Sequence, residues 1–276
     1  MSRHLGLLGG AFDATDPIAG AKARSADAVQ FFLGNPQSWS APQLSYPDGP
    51  SALRQAAESA GIRLYVHAPY VINVASTNNR VRIPSRSLLD KTLKVASTFG
   101  AAGVIVHGGH LQEGDEMAVG FANWGKALAQ LDSDVPVLIE NTAGGERAMA
   151  RRLDSIARLF EVASKYGAGF CLDTCHAWAG GLNIETLVTD ILTATGRIDL
   201  IHANGSRDGA NSGRDRHANL ANNEQFVNQL DAEMVAQIIY QAKAPAIVET
   251  PGDESAQGAD ITFLRTQLAE LAASTN

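Results

Sequence analysis

The chain is poor in cysteine and contains no long apolar run. Its 276 residues include only Cys171 and Cys175, too few for a disulfide framework, and this scarcity indicates a reducing compartment. No apolar stretch approaches the roughly 18 residues that a transmembrane helix requires. The first residues also lack the apolar core of a signal peptide. We therefore expect a cytoplasmic protein without a membrane partner.

Aromatic residues and positive charge are also scarce. Phe, Trp and Tyr make up 6% of the chain, and 22 Lys and Arg against 29 Asp and Glu give a formal net charge of −7. A chain of this sign has no global positive field with which to hold phosphate groups. Binding to nucleic acid therefore requires that cations neutralise part of the acidic residues.

The remaining composition is that of an ordinary globular chain. Hydrophobic residues make up 45% and the mean hydropathy is −0.07. The length allows one or two domains, and α/β barrels commonly reach about 250 residues as one domain. No linker or low-complexity tract divides the sequence. We expect a single domain over residues 1–276 and a monomer.

Short apolar runs alternate eight times with segments of helical periodicity. The predicted strands are residues 4–8, 28–33, 63–67, 103–107, 135–140, 168–173, 198–202 and 245–249. The predicted helices include residues 51–60, 85–99, 117–131, 153–166, 184–195, 223–242 and 260–273, with Ser85, Asp154 and Asn183 as N-caps. This alternation predicts a (β/α)8 TIM barrel. Gly9-Gly10 is interpreted as a turn, since no dinucleotide fingerprint follows it.

Several polar residues stand at the last position of a predicted strand. These residues are His67, His107, Glu140, Asp173, His202 and Glu249. A charge at the end of an apolar strand costs several kcal/mol unless it is paired or binds a metal. The C-terminal ends of barrel strands form the rim on which barrel enzymes build their active sites. Imidazoles and carboxylates that converge there without a lysine or arginine indicate metal binding.

The following loops add three candidate ligands. His176 comes three residues after Asp173, and Asp215 and His217 form an Asp-x-His pair. The resulting nine ligands exceed one tetrahedral ion and suit two or three ions. The ligand types favour zinc, with manganese or iron as alternatives. Cys171 and Cys175 are interpreted as ordinary buried thiols.

Four sequence blocks together resemble a known family. They are His107-Gly108-Gly109-His110, Glu140-Asn141-Thr142-Ala143-Gly144, Asp173-Thr174-Cys175-His176 and Asp215-Arg216-His217. These blocks resemble the signature motifs of the endonuclease IV family, the apurinic/apyrimidinic endonucleases of DNA base excision repair. The resemblance extends over nearly the whole chain.

The resemblance implies three zinc ions at the nine ligand positions. His67 and His107 would hold the first ion, and Glu140 would bridge it to the second. Asp173, His202 and Glu249 would complete the second site, and His176, Asp215 and His217 would hold the third. Glu140 and Glu249 would be catalytic, with Glu249 orienting or deprotonating the attacking water. The implied reaction cuts the phosphodiester 5′ to an abasic site in double-stranded DNA and leaves a 3′-hydroxyl.

The resemblance also implies a set of DNA contacts. Gln37 stands where an arginine of the family can enter the base stack, whereas Tyr70 and Val71 match the other wedge positions in kind. The further candidate contacts are His110, Arg214 and Arg216. Leu8 and Gly205 replace polar residues that the family usually has near the DNA path. We therefore expect a retained metal core and an altered DNA-contacting surface.

Two alternatives remain open from the sequence. A sugar isomerase or epimerase of a related barrel would use the same rim, but it would leave the Asp215-x-His217 pair unexplained. A DNA-binding homologue with weakened cleavage would keep the metal ligands. Metal stoichiometry together with activity on an abasic duplex distinguishes these possibilities.

Overall fold

The strands of the protein form a closed barrel. The computed structural model describes residues 7–11, 15–222 and 229–274. The strands are β1 (Leu8–Ala11), β2 (Ala28–Phe32), β3 (Arg63–His67), β4 (Val104–His107), β5 (Val137–Glu140), β6 (Gly169–Asp173), β7 (Leu200–His202), β8 (Gly205–Ser206), β9 (His217–Ala218) and β10 (Ala246–Val248). Eight of them close in the order β1-β10-β7-β6-β5-β4-β3-β2, with every pairing parallel, and β8 pairs with β9 in a separate antiparallel ribbon.

Helices connect the strands and surround the barrel. They are α1 (Pro17–Ala23), α2 (Gly49–Ala60), α3 (Asn79–Thr98), α4 (Met117–Leu128), α5 (Leu153–Ala163), α6 (Thr174–Gly180), α7 (Leu187–Thr195), α8 (Ala232–Ala242) and α9 (Glu254–Ser274). None of the described helices is long and apolar enough to cross a membrane. The structure confirms the (β/α)8 TIM barrel predicted from the alternation.

The first strand differs from its prediction. Gly9 and Gly10 lie within β1 rather than in a turn. A Cβ atom on Gly9 would lie 2.0 Å from the Ala28 carbonyl oxygen, so the close approach of β1 and β2 requires glycine. Leu8 is buried in the core, so its placement near the DNA path was wrong. The rest of the predicted strand, including His4, lies outside the described residues.

The start of α3 was also predicted wrongly. Ser85 is not the N-cap, because the helix begins after Asn78, whose side chain accepts a hydrogen bond from the Arg80 N–H. Pro84 lies inside the helix, near its beginning. The Ser85 hydroxyl donates to the Val81 carbonyl oxygen. The helix therefore starts about two turns before the predicted N-cap.

Smaller shifts occur at other helix starts. Asp154 lies in the first turn of α5, whose N-cap is Arg152, and Asn183 caps a turn ahead of α7, whose N-cap is Thr186. The predicted helix 223–242 begins outside the described residues, and α8 starts at Ala232.

One layer of side chains fills the lower part of the barrel interior. It consists of Ala28, Tyr65, Ile105, Leu138, Cys171, Leu200 and Ile247, one from each of seven strands or strand ends. Since side chains alternate between the two faces of a strand, the residue two positions further along points into the barrel again. Those residues are Gln30, His67, His107, Glu140, Asp173, His202 and Glu249. The period of the strands therefore produces a polar layer directly above an apolar one.

Candidate metal centre

The polar layer lies at the C-terminal rim of the barrel. Its position follows from the strand register, in which His107 is paired with Glu140 and Asp173 with His202. Glu140, Asp173 and His202 are each at most 1% exposed. Burial of several ionisable groups together is costly unless they compensate one another or bind a cation. Among the described residues, four overlapping groups at this rim have the spacing to hold metal ions, and three of them contain only histidines and carboxylates.

The first group consists of His67, His107 and Glu140. Oε2 of Glu140 lies 3.2 Å from Nε2 of His67 and 3.3 Å from Nε2 of His107. Zinc bonds of about 2.0–2.1 Å place tetrahedral ligands about 3.3 Å apart. The observed separations match that spacing.

The second group shares Glu140 with the first. Nδ1 of His202 lies 2.9 Å from Oε1 of Glu140, 3.2 Å from Oε2 of Glu249 and 3.9 Å from Oδ2 of Asp173. Three carboxylates therefore converge on one imidazole nitrogen. The two oxygens of Glu140 point to different groups, which gives this carboxylate the geometry of a bridge.

The third group lies beside the second and comes from α6, the loop before β9 and the first residue of β9. Asp173 caps α6 by accepting the His176 N–H at 2.6 Å, and this cap places His176 on the first helical turn. Nε2 of His176 and Nε2 of His217 each lie 3.1 Å from an oxygen of Asp215. Among the described residues, neither buried nitrogen has a partner with hydrogen-bond geometry. Two buried ring nitrogens without hydrogen-bond partners around one carboxylate fit a bound cation.

The imidazole rings are held from behind. In three histidines, Nδ1 donates to a backbone carbonyl oxygen. His67 donates to Ala68 at 2.7 Å, His176 to Asn141 at 2.9 Å and His217 to Glu249 at 3.2 Å. Rings with this support present Nε2 to the carboxylates. Metal-binding histidines are commonly oriented in this way.

Three buried amides that sequence reasoning missed also contact the site. Asn141 accepts the backbone N–H of Asp173, and Asn204 donates to Oδ2 of Asp173 at 2.7 Å. Gln30 contacts both His202 and Glu249. For Asn141 and Asn204 the only available signal was a position just beyond a strand end, which by itself does not distinguish a supporting amide from a packing residue, and for Gln30, in the middle of β2, there was none.

The electrostatics of the centre favour bound positive charge. Burial would raise the pKa of Glu140, but His202 and His107 outweigh it and hold that pKa well below the usual range. Burial would lower the pKa of His176, but Asp173 and Asp215 raise it well above the usual value. Glu140 therefore stays ionised at neutral pH and attracts cations, whereas burial raises the pKa of Asp173.

Both thiols near the centre are buried. Sγ of Cys175 lies within 4.8 Å of ligand atoms of Asp173 and His217. Burial raises the pKa of Cys175 to about 12 and that of Cys171 to about 12. Without a metal ion beside them, both thiols are therefore protonated at neutral pH, and the thiolate is the form that binds metal.

A cleft of about 750 Å³ opens beside the first group. It is lined in part by His107, His110, Val71 and Tyr70. The Tyr70 ring is half exposed and stacks on the His107 ring at 5.6 Å between centroids. Gln37 is exposed on the neighbouring loop, which the Tyr70 N–H joins by a 2.8 Å bond to the Pro36 carbonyl oxygen. Four of the candidate DNA contacts therefore lie in or next to this cleft.

The two arginine candidates lie on the ribbon loop between β8 and β9. Arg216 donates to Asp208 at 2.7 Å, and Arg214 lies 3.5 Å from the same carboxylate. Both arginines remain exposed. Gly205 lies in β8, where a Cβ atom would meet the Ala218 carbonyl oxygen at 2.9 Å. The packing of the ribbon accounts for glycine at this position.

Comparisons with known proteins agree with this architecture. A family model described as xylose isomerase-like TIM barrel matches residues 18–267. "Probable endonuclease 4" of Mycobacterium ulcerans is 51% identical over 262 residues, covering 95% of this chain and 99% of that protein. "Probable endonuclease 4" of Mycobacterium tuberculosis is 51% identical over 259 residues, covering 94% of this chain and 98% of that protein.

Solved structures show the same fold. The crystal structure of endonuclease IV from Thermus thermophilus superimposes with a TM-score of 0.79 at 26% identity, covering 95% of this chain and 99% of that chain. A D-tagatose 3-epimerase-like protein reaches a TM-score of 0.74 at 16% identity, covering 97% of this chain and 98% of that chain, a likeness of fold alone. From the extent of these matches, the chain belongs to the endonuclease IV family, a family of nucleases with the xylose isomerase-like TIM-barrel fold.

Proposed function

We propose that the chain is a zinc-dependent endonuclease of DNA base excision repair. It hydrolyses the phosphodiester 5′ to an apurinic/apyrimidinic site in double-stranded DNA and leaves a 3′-hydroxyl. The observation that carries the proposal is the set of three adjoining donor groups at the rim of a barrel whose 51% identical relatives are named endonuclease 4. Its two buried thiols suit the reducing cytoplasm.

Nine side chains would hold three zinc ions. His67, His107 and Glu140 form the first site, and Glu140 also joins the second. The other ligands are Asp173, His202 and Glu249 for the second ion and His176, Asp215 and His217 for the third. When bound, the ions would lower the pKa of a water molecule and neutralise charge that develops on the phosphate. Zinc suits the imidazole-rich first and third sites. The second site has three carboxylates and one imidazole, a ligand set that also suits manganese or iron.

The two glutamates differ in access to solvent. The Glu140 side chain is 1% exposed and does not meet bulk water. Its part is to bridge the first and second metal sites. The Glu249 side chain is 15% exposed at the mouth of the barrel. Nearby His202 outweighs the effect of burial and lowers the pKa of Glu249, so this carboxylate is ionised at neutral pH. Glu249 is thus suited to orient the attacking water and accept its proton.

The cleft beside the first site would receive the distorted DNA. Its aromatic wall, Tyr70, keeps its phenol neutral because burial raises the Tyr70 pKa to about 12. Tyr70, Val71 and the loop of Gln37 would fill the gap that an extruded nucleotide leaves in the stack. His110, Arg214 and Arg216 would contact the DNA backbone around the site.

Cleavage of a defined duplex tests this function. Purified, zinc-loaded protein is incubated with an end-labelled duplex that carries one abasic site, and separately with the intact duplex. We expect one nick 5′ to the abasic site, and extension of the product by a DNA polymerase demonstrates the 3′-hydroxyl. Full metal content without a nick would refute the endonuclease. Conversion of a ketohexose by the same sample would support a sugar epimerase instead.

A further inference from the structure

Gln30 is the seventh member of the polar layer and the one that supplies no metal ligand in the site described above. It lies in the middle of β2, and its side chain is completely buried. A neutral amide at the centre of a barrel strand must have its polar atoms satisfied, because an unpaired buried amide costs free energy. Both polar atoms of Gln30 are satisfied by residues of the second donor group.

The two contacts are short and specific. Nε2 of Gln30 donates to Oε1 of Glu249 at 2.7 Å. Oε1 of Gln30 lies 2.8 Å from Nε2 of His202. On the other side of the same ring, Nδ1 of His202 faces Oε1 of Glu140 and Oε2 of Glu249. Gln30 thus spans the rear of a histidine and a carboxylate that both face the second site.

The chemistry of the amide fixes the protonation pattern. An ionised carboxylate only accepts hydrogen bonds, so the amide must present Nε2 to Glu249 and Oε1 to His202. An amide oxygen also only accepts, so His202 must carry a proton on Nε2. This arrangement leaves Nδ1 as the ring nitrogen available to a metal ion.

We propose that Gln30 is a positioning residue for the second metal site: it holds His202 with Nδ1 toward the ion and holds Glu249 in its metal-facing orientation. This inference rests on the proposed function for the presence of the ions. Gln30 is not among the residues that line the cleft, and its side-chain hydrogen bonds go to His202 and Glu249.

The neighbouring amide shows the same arrangement. Asn204 donates to Oδ2 of Asp173 at 2.7 Å and accepts the Glu249 N–H at 2.8 Å. Asn204, two residues after the end of β7, therefore also supports the second site. Each buried amide joins two ligands of one ion, and the pair leaves little freedom for their side chains.

Gln30→Met tests the inference, because methionine has similar length and volume but makes neither hydrogen bond. The zinc-loaded variant is mixed with a colorimetric zinc chelator, and the release of each ion is followed. We expect one ion to leave about 10- to 100-fold faster than in the parent, with the release of the others unchanged. We also expect kcat on an abasic duplex to fall by about 10- to 100-fold while KM stays within twofold, because Gln30 does not face the DNA.

Gln30→Glu separates the two contacts. It keeps an acceptor for His202 but places a second carboxylate against Glu249. In ¹⁵N-labelled, zinc-loaded protein we expect a slowly exchanging Nε2–H signal of His202 in the parent and in Gln30→Glu, and its loss in Gln30→Met. We expect accelerated release of one ion from both variants. If Gln30→Met does not fold, release from Gln30→Glu decides the question.

Gln257→Met is the matched control. Gln257 is also a buried glutamine, but it contacts Arg24 and the Thr250 carbonyl oxygen and no metal-binding side chain. We expect its zinc release and kcat to equal those of the parent. Unchanged zinc release in a folded Gln30 variant overturns the inference. A parent that holds its ions but does not cut abasic DNA overturns the proposed function and leaves the inference supported if the release rates differ as expected.

Discussion

Glu140 stands at the junction of the first two donor groups. One of its oxygens lies 3.2 Å from His67 and 3.3 Å from His107, whereas the other lies 2.9 Å from His202. The β4–β5 register places it directly beside His107 at the end of β5. Because both oxygens are committed, loss of one of them affects two sites at once.

Glu140→Gln should remove activity and leave the fold intact. The amide keeps the volume of the side chain but has one oxygen and no charge for two cations. We expect cleavage of an abasic duplex to fall by at least about 100-fold, the upper end of the cost of losing a supporting group, together with a loss of bound zinc. Cleavage rate and elemental analysis measure both effects.

Glu146→Gln provides the control for this prediction. Glu146 is exposed and forms a 2.9 Å ion pair with the buried Arg151. Its carboxylate belongs to none of the donor groups, so the control should cut and bind zinc like the parent. Near-normal cleavage by Glu140→Gln with full zinc content would exclude Glu140 from the bridging position.

Residues at strand ends could be predicted, whereas their supports could not. His67 and Glu140 each end an apolar strand. Burying an ionisable group there is costly unless it is paired or binds a metal, so its role could be inferred from sequence alone. Gln30 sits within a strand, and its partners are 172 and 219 residues away in the chain. Only the closure of the barrel brings β2 within reach of His202 and Glu249. The sequence contains no local pattern for such a contact.

At the scale of elements, α9 is joined to the rim loops by one buried carboxylate. Asp260 is completely buried and accepts the Leu220 and Ala221 N–H groups, each at 2.8 Å. It also accepts hydrogen bonds from Asn219 at 2.9 Å and from the Thr250 hydroxyl at 2.5 Å. The loops after β9 and β10 are therefore fastened to the same helix.

Asp260→Ala should destabilise the protein strongly, because it leaves several buried donors without an acceptor. We expect the free energy of unfolding to fall by about 3 kcal/mol, measured by urea denaturation of zinc-loaded protein. Glu161→Ala removes an exposed carboxylate from α5 and should change the stability by less than about 0.5 kcal/mol. Equal stability of the two variants would show that Asp260 does not fasten these loops.

The loop between β2 and α2 carries the altered wedge position. Gln37→Arg adds a charge that can reach a distorted backbone at the cleft. We expect affinity for an abasic duplex with a non-hydrolysable linkage to rise roughly fivefold, or about 1 kcal/mol, and affinity for the intact duplex to rise less. Fluorescence anisotropy at fixed salt measures both affinities.

Gln55→Arg controls for the added charge itself. Gln55 is exposed on α2, so this variant carries the same charge on the outer helical layer. Any rise in the DNA affinity of Gln55→Arg should be equal for the abasic and the intact duplex. If Gln37→Arg behaves like Gln55→Arg, the loop does not act as a wedge and selectivity arises elsewhere.

Local context explains why some elements were misplaced. Ser85 is a residue type typical of an N-cap, but Asn78 caps α3 and the Ser85 hydroxyl bonds to Val81 within the helix. Gly9-Gly10 is typical of a turn, yet the tight contact between β1 and β2 requires glycine inside the strand. In both cases tertiary packing outweighed a local preference.

At the scale of the whole molecule, the net charge and the metal centre belong together. The chain carries a formal net charge of −7, and four carboxylates of the centre lie together at one rim. Three divalent cations would offset nearly all of this charge and would concentrate positive potential where DNA is expected to bind. An acidic chain can thereby present a local surface suited to phosphate.

Removal of the metals should therefore weaken the whole fold. An ion that binds only the folded chain at 100 times its Kd contributes about 2.7 kcal/mol, and for a chain of this size 1 kcal/mol corresponds to roughly 2–4 °C in Tm. With up to three ions, we expect chelation to lower Tm by at least about 10 °C in differential scanning calorimetry. Addition of Zn²⁺ should restore Tm, whereas Mg²⁺ should not, since imidazole ligands favour zinc. An unchanged Tm in protein shown by elemental analysis to be free of metal would mean that the nine rim residues do not depend on cations for their stability.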